Sequence, residues 1–162
     1  MRYPRQQGLV MVEFTIVLPL LLLLMFAAAE FGRALFQYNT LIKSVRDGGR
    51  YLAANAFLGD ATQVNTAAQT QTQNLVAYGA IGKTACQPTS TPPFYPPCDD
   101  LKGFNAADVT YSNPVQDADG NYYVTVSATY NYAAMLGAAL PFTSADMTIP
   151  LRASVTMRVL SP

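Results

Sequence analysis

Few side chains in this sequence are of types that could catalyse a reaction or bind a metal ion. The sequence has no histidine and only two cysteines, so a zinc site lacks ligands and catalysis has little to rest on. The acidic pairs Asp99-Asp100 and Asp117-Asp119 fall in loop and turn sequence, where solvated or capping carboxylates are the default. No glycine-rich phosphate loop follows a strand, and no basic stripe carries interleaved aromatics. The sequence therefore predicts no enzyme, no cofactor, no metal site and no nucleic-acid partner.

The two cysteines, Cys86 and Cys98, bracket a proline-rich segment, CQPTSTPPFYPPC. Without a third cysteine, a disulfide is the natural interpretation, and two unrelated buried thiols are the alternative. A bridge that closes about a dozen residues would contribute roughly 2 to 3 kcal/mol. Disulfides persist outside the cytosol, so the pair predicts that the C-terminal region lies outside.

An apolar run from Phe14 to Ala29 is interrupted only by Thr15 and Pro19. At 1.5 Å per residue it covers roughly 24 Å, short of the ~30 Å hydrocarbon core, but residues 30–36 can carry a helix to the far interface. We therefore expect a membrane-inserted helix, its membrane part at about residues 14–36. Because Pro19 removes one backbone hydrogen bond, a kink is expected near it.

The charges around the apolar run favour opposite orientations. Arg2 and Arg5 precede it and favour a cytoplasmic N-terminus, whereas Arg33 to Arg50 place more positive charge after it. Of the two orientations, the predicted disulfide favours the one that places the C-terminal region outside the cytosol.

Glu13 lies at the head of the apolar helix, where an unpaired carboxylate is costly to bury, so a partner charge is expected. If the chain were cut after Gly8, the new amine of Leu9 would lie about one helical turn from Glu13 and could supply that charge.

This opening resembles type IV pilin-like precursors and, more specifically, the TadE-like pseudopilins of the tight-adherence (Flp/Tad) pilus system. The residues that carry the resemblance are Val12-Glu13-Phe14, Leu18-Pro19-Leu20 and Glu30-Phe31-Gly32-Arg33-Ala34. It implies that a prepilin peptidase cuts between Gly8 and Leu9, and that Glu13 assists methylation or subunit docking. The implied partners are the major pilin, other pseudopilins and the assembly platform. The implied location is the inner membrane, single-pass with the C-terminal domain outside, or the extracellular pilus itself.

Two alternatives to pilin-like processing stay open. Ala27-Ala28-Ala29 offers a small-x-small site after an apolar core, so a signal peptidase could release a secreted binding module. Against this, the helical pattern continues after Ala29 without an extended segment. The other alternative is an uncleaved single-pass anchor whose outer domain binds an envelope enzyme.

Beyond the membrane part, apolar or small residues recur at alternating steps of three and four, which predicts a helix with one packed face. They are Leu35, Tyr38, Ile42, Val45, Gly49, Leu52 and Ala56. We expect Leu52 and Ala56 to pack on the chain's own domain and the residues nearer the membrane to pack on other subunits. Gly48-Gly49 weakens the helix by roughly 1 kcal/mol per glycine, so a bend is expected there.

The rest of the chain predicts a second helix and three strands. Gly59 suits a C-cap, and Asp60 with Gln63 suits a capping box that starts a helix over 61–78. Its predicted apolar face consists of Val64, Ala67, Ala68, Leu75 and Val76. Tyr78-Gly79 ends this helix, and residues 79–103 form a loop.

Strands are predicted over 108–113, 122–132 and 147–159, the last two with alternating apolar and polar residues. Pro150 suits an edge strand or the beginning of a strand. Asp117–Asn121 supplies an Asp-Gly hairpin turn and lacks the distal glutamate of an EF-hand.

The predicted fold is α+β and pilin-like, with a long N-terminal membrane helix packed on a small antiparallel three-stranded sheet with a second helix. Its predicted parts are a leader over 1–8, a long helix over 9–59 and an extracytoplasmic domain over 60–162.

Overall fold

A computed structural model describes residues 7–56, 63–86, 96–134 and 148–159. The helices are α1 (Gln7–Asn55), α2 (Thr66–Tyr78) and α3 (Pro96–Asp100), with a 3₁₀ turn at Ala106–Asp108. The strands are β1 (Val109–Tyr111), β2 (Val115–Gln116), β3 (Tyr122–Tyr132) and β4 (Ile149–Arg158). The chain divides into two compact units, Met1–Leu35 and Phe36–Pro162. A long apolar helix, a second helix and a small antiparallel sheet confirm the predicted α+β class.

The sheet is organised around β3. β4 pairs antiparallel with β3, from Tyr123 opposite Arg158 to Tyr132 opposite Ile149. β1 and β2 also pair antiparallel with β3, at residues 126–128 and 122–123 respectively. Since β4 occupies one edge of β3 along this length, β1 and β2 lie end to end along the other edge. The sheet is therefore three strands wide, as predicted, and the structure adds the two-residue strand β2.

One face of the sheet is apolar and carries the core. From Val124 onward the inward side chains of β3 are all buried: Val124, Val126, Ala128, Tyr130 and Tyr132. The opposite face bears hydroxyl pairs between β3 and β4, with Oγ1–Oγ1 and Oγ–Oγ distances of 2.8 Å for Thr125–Thr156 and Ser127–Ser154. The predicted alternation of the strand side chains is therefore confirmed, and Pro150 lies at the beginning of β4 as expected.

The part of α1 from Phe36 onward, its outer half, packs against both α2 and β4, and two glycines lie at these contacts. A Cβ built on Gly48 would lie 2.2 Å from Val76 Cγ2 of α2, and one built on Gly49 would lie 2.6 Å from Val155 Cγ1 of β4. Separations below 3.0 Å leave no room for a methyl group. The helix runs unbroken through Gly48 and Gly49, so these residues allow close packing where the sequence pattern predicted a weak point.

α2 begins later than predicted. Gln63 forms a bend outside the helix, and Asn65 is the N-cap, with its Oδ1 accepting the Ala67 N–H at 2.8 Å. The Asn65 N–H also donates to the carbonyl of Ala56 at 3.4 Å. This cap replaces the predicted start with Asp60 and Gln63; Asp60 itself, like the predicted Gly59 cap, lies outside the described residues.

The buried face of α2 also differs in part from the prediction. Ala67 is exposed, whereas Thr72 is fully buried. The Thr72 hydroxyl is not left unpaired there, because it donates to the Ala68 carbonyl at 2.7 Å. Gly79 ends the helix as predicted, with φ at 71° and its N–H donating to Leu75. The segment predicted as a loop contains the short helix α3.

The turn before β3 is built around the Asp117 carboxylate. This carboxylate accepts the backbone N–H of Asn121 at 2.8 Å and that of Asp119 at 3.0 Å. These hydrogen bonds, the one from Asn121 foremost, lower the pKa of Asp117 below its ordinary value of 3.8. The carboxylate is thus used in forming the predicted Asp-Gly turn.

Acid is expected to loosen this turn. A carboxyl group whose pKa is lowered by folding stabilises the fold above its unfolded pKa, and this contribution is lost as the pH falls from about 3.8 through the folded pKa. In NMR titrations, the Asn121 amide should lose its hydrogen-bonded shift in that window. Asp117→Asn should abolish the titration, and the matched variant Asp119→Asn should retain it. An Asn121 amide that titrates equally in Asp117→Asn would contradict the assignment.

Candidate assembly helix and disulfide-closed segment

The inner part of α1 presents apolar side chains on every side. All the large apolar side chains from Val10 to Phe26 are exposed, including Phe14 at 56 %. Among the described residues, α1 is the one helix long and apolar enough to cross a membrane. An apolar surface that surrounds a helix is expected for a segment in contact with lipid or with other helices.

The residues of the predicted cleavage site lie within this helix. α1 begins at Gln7, so the peptide bond between Gly8 and Leu9 falls in its first turn. Glu13 is exposed and has no hydrogen-bond or ion-pair partner in the part of the chain that the structure describes. Leu9 and Glu13 are four residues apart in one helix and are therefore neighbours along its surface.

Pro19 lies inside α1, and the helix continues through it. Its missing N–H leaves the carbonyl of Thr15 without its usual helical donor. One turn earlier, the Thr15 hydroxyl donates back to the Met11 carbonyl at 2.7 Å. The predicted weak turn therefore combines an unpaired carbonyl with a side chain bonded to the backbone, two features associated with helix bending.

The Glu30–Ala34 motif follows the most apolar stretch. Phe31 is 67 % exposed, and Gly32 is exposed with open space around its Cα. Glu30 and Arg33 are half-buried and, three residues apart, share a helix face. The motif thus combines an aromatic side chain, a bare backbone patch and two charged groups within one turn.

Further along, one face of α1 is buried within the Phe36–Pro162 unit. Leu52, and Ala56 just after α1, are buried, as predicted for packing on the chain's own domain. Val45 was expected to pack on other subunits, but it is buried within this unit as well. Asn39 and Lys43 lie off this face and are exposed. The buried face also includes three polar residues that the apolar pattern missed: Gln37, Thr40 and Ser44.

Two of these polar residues bond to Asp100, the last residue of α3. Gln37 Nε2 donates to the carbonyl of Asp100 at 2.8 Å, and the Thr40 hydroxyl donates to its carboxylate at 3.3 Å. A disulfide joins Cys86 to Cys98 in α3, with Cα atoms 5.4 Å apart. The bridge predicted from the sequence is therefore present, and α3 links it to α1 through Asp100. A buried glutamine and threonine on an otherwise apolar helix face are the sequence feature that could have indicated this link.

The apolar part of α1 is exposed on all sides, and α1 continues into an α+β unit that contains a disulfide. These features fit the class of single-pass membrane proteins with one folded domain. Residues 8–50 match the family model described as TadE-like protein. No match was found among curated proteins or among solved structures. The resemblance predicted from the N-terminal motifs is thus confirmed over most of α1. It indicates a pilus-related, minor pilin-like role, and the family is a structural one.

Proposed function

We propose that this protein is a pseudopilin that a prepilin peptidase cuts between Gly8 and Leu9 and that then takes part in assembling a Flp/Tad adhesive pilus. The observation that carries the proposal is one exposed carboxylate, Glu13, within the exposed apolar part of a helix that matches the TadE-like family model. A helix with this surface gains most of its stabilisation from lipid or from neighbouring helices.

In this proposal Glu13 sets the register between subunits. Burying its charge among apolar helices is costly unless an opposite charge lies close by. Cleavage after Gly8 would create such a charge, because the new amine of Leu9 would lie about one helical turn from Glu13. In this proposal that amine pairs with the Glu13 of a neighbouring subunit. The cut therefore supplies the partner that the described chain lacks around this carboxylate.

The other parts of the chain have separate roles in this proposal. Residues 1–8 are the leader, the long helix runs from Leu9 to the end of α1 with its membrane part at about 14–36, and residues 60–162 are the outer domain. Phe14, Pro19 and the Glu30–Arg33 motif belong to the surface that meets the major pilin, other pseudopilins and the inner-membrane assembly platform. The disulfide supports an outer domain beyond the cytosol, since such bridges persist in oxidising compartments. We assign no catalytic role to the protein.

The first test is the mature N-terminus, measured by mass spectrometry on protein recovered from the native cell envelope. We expect a chain that begins at Leu9, and a chain that still begins at Met1 in Gly8→Val. Ala29→Leu, which removes the small-x-small site, should leave the Leu9 start unchanged. A wild-type chain that begins at Glu30 and is lost in Ala29→Leu would refute the proposal in favour of a secreted module. An intact wild-type chain would favour a simple anchor.

The second test separates processing from assembly. Glu13→Gln keeps the length and polarity of the side chain but removes its charge, so the chain should still begin at Leu9. We expect this variant to lose most of its cross-linking to the major pilin, because the register-setting charge pair is missing. Equal cross-linking in Glu13→Gln and wild type would contradict the role given to this carboxylate.

A further inference from the structure

Among the described residues, no strand pairs with the outer edge of β4. β4 pairs only with β3 among the described residues, and most of its residues are exposed. The backbone bond from the Val159 N–H to the Tyr122 carbonyl, at 2.8 Å, fixes which groups point inward. In an antiparallel pair the inward-pointing residues alternate, so the odd-numbered residues of β4 bond to β3. The backbone groups directed away from the sheet therefore belong to Arg152, Ser154, Thr156 and Arg158.

A groove of about 160 Å³ runs between this edge and α1. On the helix side it is lined by Tyr38 and Ile42, both half-buried, and by Arg46. On the strand side it is lined by residues 152–155, including Arg152 and Val155. The groove thus combines half-covered apolar side chains with a row of backbone donors and acceptors.

The described charged residues at this groove and strand edge are all arginines. Arg46 and Arg152 line the groove, and Arg158 lies on the same strand edge. None of the three has an ion-pair partner in the described part of the chain, and no carboxylate lines the groove. A ligand that fits here should bring negative charge, since opposite charges across neighbouring strands stabilise pairing and like charges oppose it.

We propose that β4 accepts an extended acidic segment of a partner protein as an additional antiparallel strand. The outward backbone groups of β4 would bond to the incoming strand about 4.8 Å away. Alternate residues of the segment then face Tyr38 and Ile42 and should be apolar, whereas the others lie beside Arg152 and Arg158 and should be acidic. This surface is separate from α1's apolar inner part and does not depend on cleavage at Gly8.

The same charges disfavour a second copy of this chain as the occupant. If two β4 strands paired antiparallel about Val155, Arg152 of one copy would lie opposite Arg158 of the other. Pro150 also removes one donor from the edge, a feature that limits self-pairing of exposed strands. These features disfavour pairing of two β4 strands in this register, whereas an acidic strand meets no such repulsion.

The test uses the full chain in detergent micelles and two synthetic probes, a heptapeptide of alternating valine and glutamate and its match with lysine in place of glutamate. Residue-resolved amide exchange is the readout, with the Ala153, Val155 and Met157 amides, already bonded to β3, as internal references. At saturation the acidic peptide should slow exchange of the Ser154 and Thr156 amides about tenfold and leave the references unchanged. The lysine peptide should have no effect.

Charge reversal makes the test specific. Arg152→Glu should abolish protection by the glutamate peptide, whereas Arg50→Glu, an equal charge change at an exposed site on α1 outside the groove, should retain it. Equal protection by both peptides, or none by either, would overturn the proposal. Protection of Ser154 and Thr156 that rises with protein concentration in the absence of peptide would also overturn it, because it would identify a second copy as the occupant.

Discussion

Removal of the Cys86–Cys98 bridge is expected to lower the free energy of unfolding of the Phe36–Pro162 unit by roughly 3 kcal/mol. The bridge closes a loop with a sequence separation of 12 residues, and its loss restores conformational freedom to the unfolded chain. The measurement is chemical denaturation of the full chain in detergent, with and without reductant, for wild type and for the double variant Cys86→Ser, Cys98→Ser.

The double variant is also the control, because reductant should shift the wild-type midpoint to that of the variant and leave the variant unchanged. Without the bridge, α3 depends on the hydrogen bonds from Gln37 and Thr40 to Asp100. Exchange of the Leu101 amide, which donates to Pro97, should therefore become faster. An unchanged midpoint after complete reduction would show that these contacts alone hold the segment.

Gly48→Ala is expected to destabilise the same unit, although alanine is the better helix former by about 1 kcal/mol. The new Cβ would lie 2.2 Å from Val76 Cγ2, a methyl group on a stiff, fully buried β-branched side chain. Overfilling a packed interior costs typically 1 to 3 kcal/mol, so after the gain in helix propensity a net loss of up to about 2 kcal/mol is expected. Denaturation of the full chain in detergent measures it.

Two further variants separate packing from helix propensity in the Gly48 experiment. Gly32→Ala introduces the same methyl group where no atom lies within 4 Å, so it should be neutral or stabilising. In a Val76→Ala background the obstructing methyl is absent, and Gly48→Ala should then increase stability. If Gly48→Ala destabilised equally in both backgrounds, the close approach of α1 and α2 would not be its cause.

The sequence predicted those features whose determinants are local. Alternating side chains predicted β3 and β4, Asp117–Asn121 predicted the turn before β3, and Gly79 predicted the end of α2. The cysteine pair was likewise predictable, because a chain with two cysteines and no histidine offers few other uses for them. In each case the residues that determine the feature lie within it.

The features that the sequence did not predict depend on distant partners. Gly48 and Gly49 resemble weak points until Val76 and Val155 are placed against them. Gln37 breaks the apolar pattern of α1, and its burial becomes understandable only with Asp100 in place. The sequence pattern favoured Asp60 as the cap of α2, whereas the structure uses Asn65.

The candidate site likewise has parts that were predictable from local sequence and parts that depend on distant residues. The apolar segment and Glu13 were evident from composition and spacing, because a membrane-length run needs no tertiary partner to be recognised. The groove beside β4 could not be predicted, since it depends on which strand lies at the edge and on how α1 crosses it. Arg46 and Arg152 are far apart in the chain, and their shared position exists only in the folded unit.

The contact between Gly49 and Val155 also sets an order of events during synthesis. Gly49 belongs to the first helix, whereas Val155 belongs to β4, which follows every other described element along the chain. A ribosome would therefore complete α1 long before the strand that covers its outer half emerges. The apolar N-terminal part could enter a bilayer during that interval, while the outer half still lacks β4, so insertion would precede folding of the domain. Because the covering strand is synthesised last, the domain can close only after the whole apolar segment has been made.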